Sequence, residues 1–180
     1  LVLAPRELEP TALALAEPVS CCLNGARQFR VSPGEAVVVL GTGPIGLLHV
    51  ALAKLAGATR IVAVGRPGRL DPALALGATH ALASQGEKLT REILDATGGG
   101  ADVAIVAGDP ALANQALEVA AVGGRVNYFA GFPKGSTAVM EPNIVHYREL
   151  QVTGGSNARR ADVRRAVELL SSGALDVGSL

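Results

Sequence analysis

The chain of 180 residues has no tryptophan, and its aromatic residues are two tyrosines and three phenylalanines. So few rings exclude a base-stacking platform for single-stranded nucleic acid. Net charge is also missing. Sixteen basic residues balance sixteen acidic ones, which removes the basic footprint that nucleic-acid binding requires. No apolar run approaches the ~20 residues of a membrane span, and residues 1–15 lack the basic start of a secretory signal. Cysteine is confined to the neighbours Cys21 and Cys22, a poor disulfide pair, which fits a reduced, cytoplasmic setting. Methionine occurs once, at Met140, so the chain does not start at a natural initiator and is expected to be a piece of a longer protein.

What is present is aliphatic. Hydrophobic residues make up 49% of the chain, enough for a sizeable core. The sequence is organised around Ala36-Val37-Val38-Val39-Leu40-Gly41-Thr42-Gly43-Pro44-Ile45-Gly46. Five apolar residues without alternation read as a strand buried on both faces. The next six spell G-x-G-x-x-G, and Pro44 stands where a helix opens, a position at which its missing N–H costs nothing. Ile45, Leu48, Leu52 and Leu55 then recur at helical spacing, and Gly57 ends the run. In such a strand-to-helix turn Gly41 permits the tight bend, Gly43 lets backbone approach a pyrophosphate, and Gly46 lets helix and strand pack closely. The helix's free N–H groups and positive end face the phosphates. Strand before and helix after give this otherwise weak motif its specificity.

Around this unit the pattern alternates. Residues 1–10 read as a lead-in strand or linker, and Glu17-Pro18 opens a helix with Val19, Cys22, Leu23 and Ala26 on one face. Further strands are expected at 59–64, 80–83, 102–107, 125–130 and 150–153. Helices are expected around Leu70–Gly77, Glu87–Thr97, Leu112–Ala120 and Val163–Leu170, with Asp109 capping the third of these and Gly123-Gly124 ending it. This alternation predicts an α/β fold. Its form is a doubly wound parallel sheet of about six strands with helices on both faces, the Rossmann fold. The division expected is a lead-in segment and helix over 1–30 and a dinucleotide-binding domain over 31–180. Ligands of such sheets bind beyond the carboxyl ends of the strands, which gathers four loops: Gly41–Gly46, Gly65–Arg69, Ala107–Asp109 and Phe129–Gly131.

The second strand ends Val64-Gly65-Arg66-Pro67-Gly68-Arg69. An NAD site carries Asp or Glu there to accept hydrogen bonds from the ribose hydroxyls. Gly65 stands in its place, with Arg66 and Arg69 following. Room plus forked cationic donors suits a 2′-phosphate, so NADP is expected in preference to NAD. The alternative is that both arginines are solvated loop residues and NAD binds without its carboxylate.

These motifs resemble the zinc-dependent medium-chain alcohol and polyol dehydrogenases over nearly the whole chain. The resemblance rests on residues 17–21 and 33–46, on Leu76-Gly77-Ala78-Thr79-His80 and on Gly123-Gly124-Arg125-Val126-Asn127-Tyr128-Phe129. Residues 132–135 and 144–149 are most similar to the sorbitol (iditol) dehydrogenase-like branch. The resemblance implies a cofactor domain of a two-domain enzyme that passes hydride between an alcohol or sugar alcohol and NAD(P). Zinc would be held mainly by a catalytic domain whose motifs this chain lacks. It implies cofactor contacts from Gly41, Thr42, Gly43, Pro44, Ile45 and Gly46 to the pyrophosphate. Gly65, Arg66 and Arg69 would read the adenosine ribose, and Ala107 and Gly108 would lie along the cofactor. Phe129, Ala130 and Gly131, with Thr153, Gly154 and Gly155, would lie near the nicotinamide. Glu17 matches a carboxylate beside the catalytic zinc; taken alone it reads rather as an acid at a helix start, and with the resemblance the two readings stand even. No catalytic residue is expected within the chain. The competing reading is a non-catalytic NAD(P)-binding or sensing module. A methyltransferase-like domain would need an acid where Gly65 stands. Pairing of a second copy along an exposed 150–153 edge would give a homo-oligomer.

Overall fold

The computed structural model describes residues 2–5, 8–137 and 140–178. Positions 1, 6 and 7 of the expected lead-in, and 179 and 180 at the end of the expected domain, lie outside them. Six strands form one parallel sheet: β1 (Ala36–Leu40), β2 (Arg60–Val64), β3 (His80–Leu82), β4 (Ala101–Val106), β5 (Ala120–Tyr128) and β6 (Gln151–Gly154). Their order across the sheet is β3-β2-β1-β4-β5-β6. The chain leaves the β3 edge and re-enters beside β1 as β4, so the switch of direction falls between β1 and β4.

The unalternated run of β1 is explained by its place. All five residues are buried, with Val37 and Val39 facing one core and Val38 and Leu40 the other. The first core is closed by α2 (Ala16–Phe29), α3 (Pro44–Leu55), α4 (Leu70–Ala75) and α8 (Arg160–Ser171); a short α1 (Pro10–Ala14) precedes α2. The second core is closed by α5 (Gly86–Thr97), α6 (Leu112–Val119) and α7 (Pro142–Tyr147). Alternate side chains of a strand point to opposite faces, so a strand between two helix layers must be apolar throughout. At the amino ends of the strands Arg125 Nη2 meets Glu35 Oε1 at 2.6 Å and Nη1 donates to the Arg30 carbonyl at 2.7 Å. The Asp102 carboxylate accepts from the Ala36 N–H at 2.8 Å. Neighbouring strand starts are thereby pinned by charge-assisted bonds.

Three expectations need correction. The helix after β4 begins at Leu112 as expected, but its N-cap is Ala111, not Asp109, whose Oδ1 accepts from the Ala111 N–H in a local turn at 2.8 Å. Gly123-Gly124 does not end that helix. The chain enters β5 at Ala120, and Gly123, at φ +75°, forms an irregularity where the β4–β5 register shifts. The helix α7 begins at Pro142 and was not expected; six residues are too few to display a period. The expected edge at 150–153 is observed, as β6.

Candidate functional site

The carboxyl ends of β1 and β4 meet at the switch point, where the glycine turn lies. Gly41 takes φ +119°, which side chains disfavour. Its N–H donates to the Val64 carbonyl at 2.8 Å and the Ala107 N–H donates to the Leu40 carbonyl at 2.9 Å, so three strand ends are locked together. A Cβ on Gly41 would come within 2.9 Å of the Ala107 carbonyl and the Gly108 nitrogen. A Cβ on Gly46 would overlap the Gly41 carbonyl oxygen. Gly41, Gly46, Ala107 and Gly108 are therefore held together by backbone contact. Gly43 differs. It is extended (φ −71°, ψ 175°), it is the N-cap of α3, and nothing lies within 4 Å of where its Cβ would be. Pro44 opens the helix at its side, and Ile45 is half-buried beneath. An open flank beside unbonded N–H groups at a helix start is a cradle for an anion. The residues present thus fit a dinucleotide's diphosphate.

Thr42 is buried, 3% exposed, and its side chain occupies the space in front of Gly65. Arg66 and Arg69 are exposed on the loop after β2, Arg66 just before a single 3₁₀ turn and Arg69 as its last residue. On the far side of the switch point, the Phe129 and Ala130 N–H groups both donate to the Val106 carbonyl, at 3.0 and 2.9 Å. The loop after β5 is thereby tied to the end of β4, and Gly131 beyond is exposed. Thr153 Oγ1 accepts from Asn127 Nδ2 at 3.0 Å, Gly154 is exposed at the end of β6, and Gly155 packs against Gly25.

Two contacts were not visible in the sequence. The Phe129 ring is gripped between α2 and α3: a Cβ on Gly25 would stand 2.9 Å from Phe129 Cδ2, and the His49 ring meets Phe129 edge-on with centroids 4.5 Å apart. His49 is buried, and its Nε2 has no hydrogen-bond partner among the described residues. A histidine at an apolar helical position was the available signal. The adjacent rings of Tyr128 and Phe129 face opposite cores. Tyr128 packs into the second core and donates to the Ala113 carbonyl at 3.2 Å, whereas Phe129 joins the first core.

Burial depresses the His49 imidazolium from its ordinary 6.5 to about 3. The unfolded chain therefore binds a proton between these values that the folded chain refuses, and stability must fall as pH drops through that window. Chemical denaturation between pH 6.5 and 4 should show a slope steeper by up to about 1.4 kcal/mol per pH unit than in His49→Leu. Equal slopes in the two proteins would contradict a neutral buried imidazole.

Glu17 is exposed near the start of α2 and accepts from the Cys21 thiol at 3.2 Å. Burial, with the Glu17 hydrogen bond and charge, pushes the Cys21 thiol up to about 11, and deeper burial pushes the neighbouring Cys22 higher still. Neither is a ready thiolate. No group of three or more metal-ligating side chains occurs among the described residues. Glu17 and its neighbours therefore do not fit a zinc site by themselves. No helix among the described residues is long and apolar enough to cross a membrane.

The zinc-binding dehydrogenase family model matches residues 44–172. The chain is 33% identical over 178 residues to an L-threonine 3-dehydrogenase of Bacillus velezensis, covering 96% of this chain and 51% of that protein. It is 37% identical over 152 residues to an (R,R)-butanediol dehydrogenase of Bacillus subtilis, covering 83% and 43%. A protein from Sinorhizobium meliloti 1021, assigned as a zinc-binding dehydrogenase and solved bound to NADP, superposes with a TM-score of 0.88. It is 32% identical, with 97% of this chain and 52% of that chain covered. The chain spans about half the length of these relatives. A parallel sheet switching at a glycine turn, and a match over most of its length, place this chain in the zinc-dependent medium-chain dehydrogenase family.

Proposed function

We propose that this chain is the dinucleotide-binding domain of an NAD(P)-dependent alcohol or polyol dehydrogenase, with NADP preferred. The carrying observation is the open flank at Gly43 beside the first turn of α3, walled by Gly41, Gly46 and Gly108. A nicotinamide cofactor bound there supplies the hydride acceptor. The chain's own work is to bind and orient it. The N–H groups of Gly43, Ile45 and Gly46 hold the diphosphate, and Ala107 and Gly108 flank its path. The Phe129–Gly131 backbone, with Thr153, Gly154 and Gly155, fixes the nicotinamide end, while Arg66 and Arg69 attract a 2′-phosphate. Residues 1–30 serve as lead-in and 31–180 as the domain proper. Zinc belongs to the catalytic part of the longer enzyme, with Glu17 on the side facing it, and the substrate is a small alcohol or sugar alcohol. Relatives acting on threonine and butanediol support that substrate class. The position of β6 at the sheet edge supports pairing with a second copy.

Calorimetric titration of the purified chain with NADP and NAD tests the reading. NADP should bind more tightly, and Arg66→Ala should weaken NADP about tenfold or more while leaving NAD unchanged. Equal affinities of the parent chain for the two cofactors would end the NADP preference. Binding of neither would end the dinucleotide reading.

A further inference from the structure

Residue 65, where an NAD site carries a carboxylate, is crowded by the neighbouring loop. Gly65 is not among the residues with positive φ, so its backbone accepts a side chain without strain. Space is what forbids one. A Cβ at residue 65 would overlap Thr42 Oγ1 and stand 2.7 Å from Thr42 Cβ and 2.8 Å from Thr42 Cγ2. Rotation about χ1 can turn the hydroxyl or the methyl away but leaves Cβ, at 2.7 Å, where it is, and a β-branched residue rotates reluctantly when buried. Neither loop can retreat. The Gly65 N–H donates to the Leu82 carbonyl at 2.9 Å, and the Gly41 N–H, next to Thr42, donates to the Val64 carbonyl at 2.8 Å. The full register Ala36↔Arg60 to Leu40↔Val64 fixes the two strand ends behind them.

From this packing we infer that Thr42 is a specificity-determining residue: it enforces glycine at residue 65 and so bars the acidic side chain that would read an unphosphorylated ribose. The inference rests on the dinucleotide-binding reading above and deepens it. With the acid excluded, the adenosine end meets an uncharged backbone and the exposed guanidinium groups of Arg66 and Arg69, a surface whose complement is a 2′-phosphate. Thr42 acts by filling space and needs no contact of its own with the ribose.

A double-mutant cycle on the chain tests this, with the melting midpoint and calorimetric affinities for NAD and NADP measured for the parent, Gly65→Asp, Thr42→Gly and the double variant. Gly65→Asp alone should melt about 5 °C lower than the parent and bind NAD no better than the parent does. In the double variant, Gly65→Asp should cost far less in midpoint than it does beside Thr42, and NAD should bind about tenfold more tightly than NADP. Additive midpoint changes, or a Gly65→Asp single variant that melts like the parent and already prefers NAD, would overturn the role of Thr42 alone. A parent chain that binds neither dinucleotide would overturn the underlying reading, and this proposal with it.

Discussion

Gly43→Asp is expected to abolish dinucleotide binding while leaving the fold intact. Gly43 is extended at an angle any residue adopts, and its Cβ would project into open space, so the substitution meets no steric obstacle. Gly43 is also the N-cap of α3, which at present has no side-chain cap hydrogen bond. An aspartate there caps well, accepting from the amides of the first turn. Those are the amides assigned to the diphosphate, so the new carboxylate takes the ligand's place and repels its charge. Affinity for NADP should fall by about 100-fold or more, equivalent to roughly 3 kcal/mol of lost amide–phosphate interaction. The melting midpoint should hold or rise. Retained affinity would mean that the diphosphate lies elsewhere, and a collapsed fold would mean that Gly43 is packed.

Gly46→Val should do the opposite, breaking the fold first. The added Cβ overlaps the Gly41 carbonyl oxygen, and that residue is tethered to β2 through its N–H. Helix α3 would have to lift from β1, loosening the core contacts of Leu48, Val50 and Leu52 beneath it. Overpacking against fixed backbone costs about 3 kcal/mol or more, which for a domain of this size lowers the midpoint by about 6–12 °C. Cofactor affinity should fall with it. A variant melting within a degree or two of the parent would show that helix and turn are farther apart than described. Together the two variants separate the glycine that faces the ligand from the one that faces the fold.

How far this could be read from the chain follows from the range of each interaction. The strand, turn and helix over 36–55 were legible because burial on both faces, the glycine spacing and Pro44 act locally and agree. The switch of sheet direction followed from the alternation of elements. The start of β5 was not legible. Gly123-Gly124 looks like a helix stop, yet the parallel ladder with Ala101 captures the chain already at Ala120, a long-range pairing that overrides local preference. At the site, Gly65 and its two arginines carried the expectation of NADP. The reason for Gly65 lies 23 positions earlier, at Thr42, and no periodicity links the two. The clasp of Phe129 between Gly25 and His49 joins three elements distant in sequence and was hidden for the same reason.

If main-chain amides at the glycine turn grip a dinucleotide diphosphate, a crystal structure of the chain grown with NADP will show the contact. Diphosphate oxygens are expected within about 3 Å of the N–H groups of Gly43, Ile45 and Gly46, with the 2′-phosphate beside Arg66. A bound nucleotide whose diphosphate lies away from this turn, or a turn left empty at saturating NADP, would contradict it.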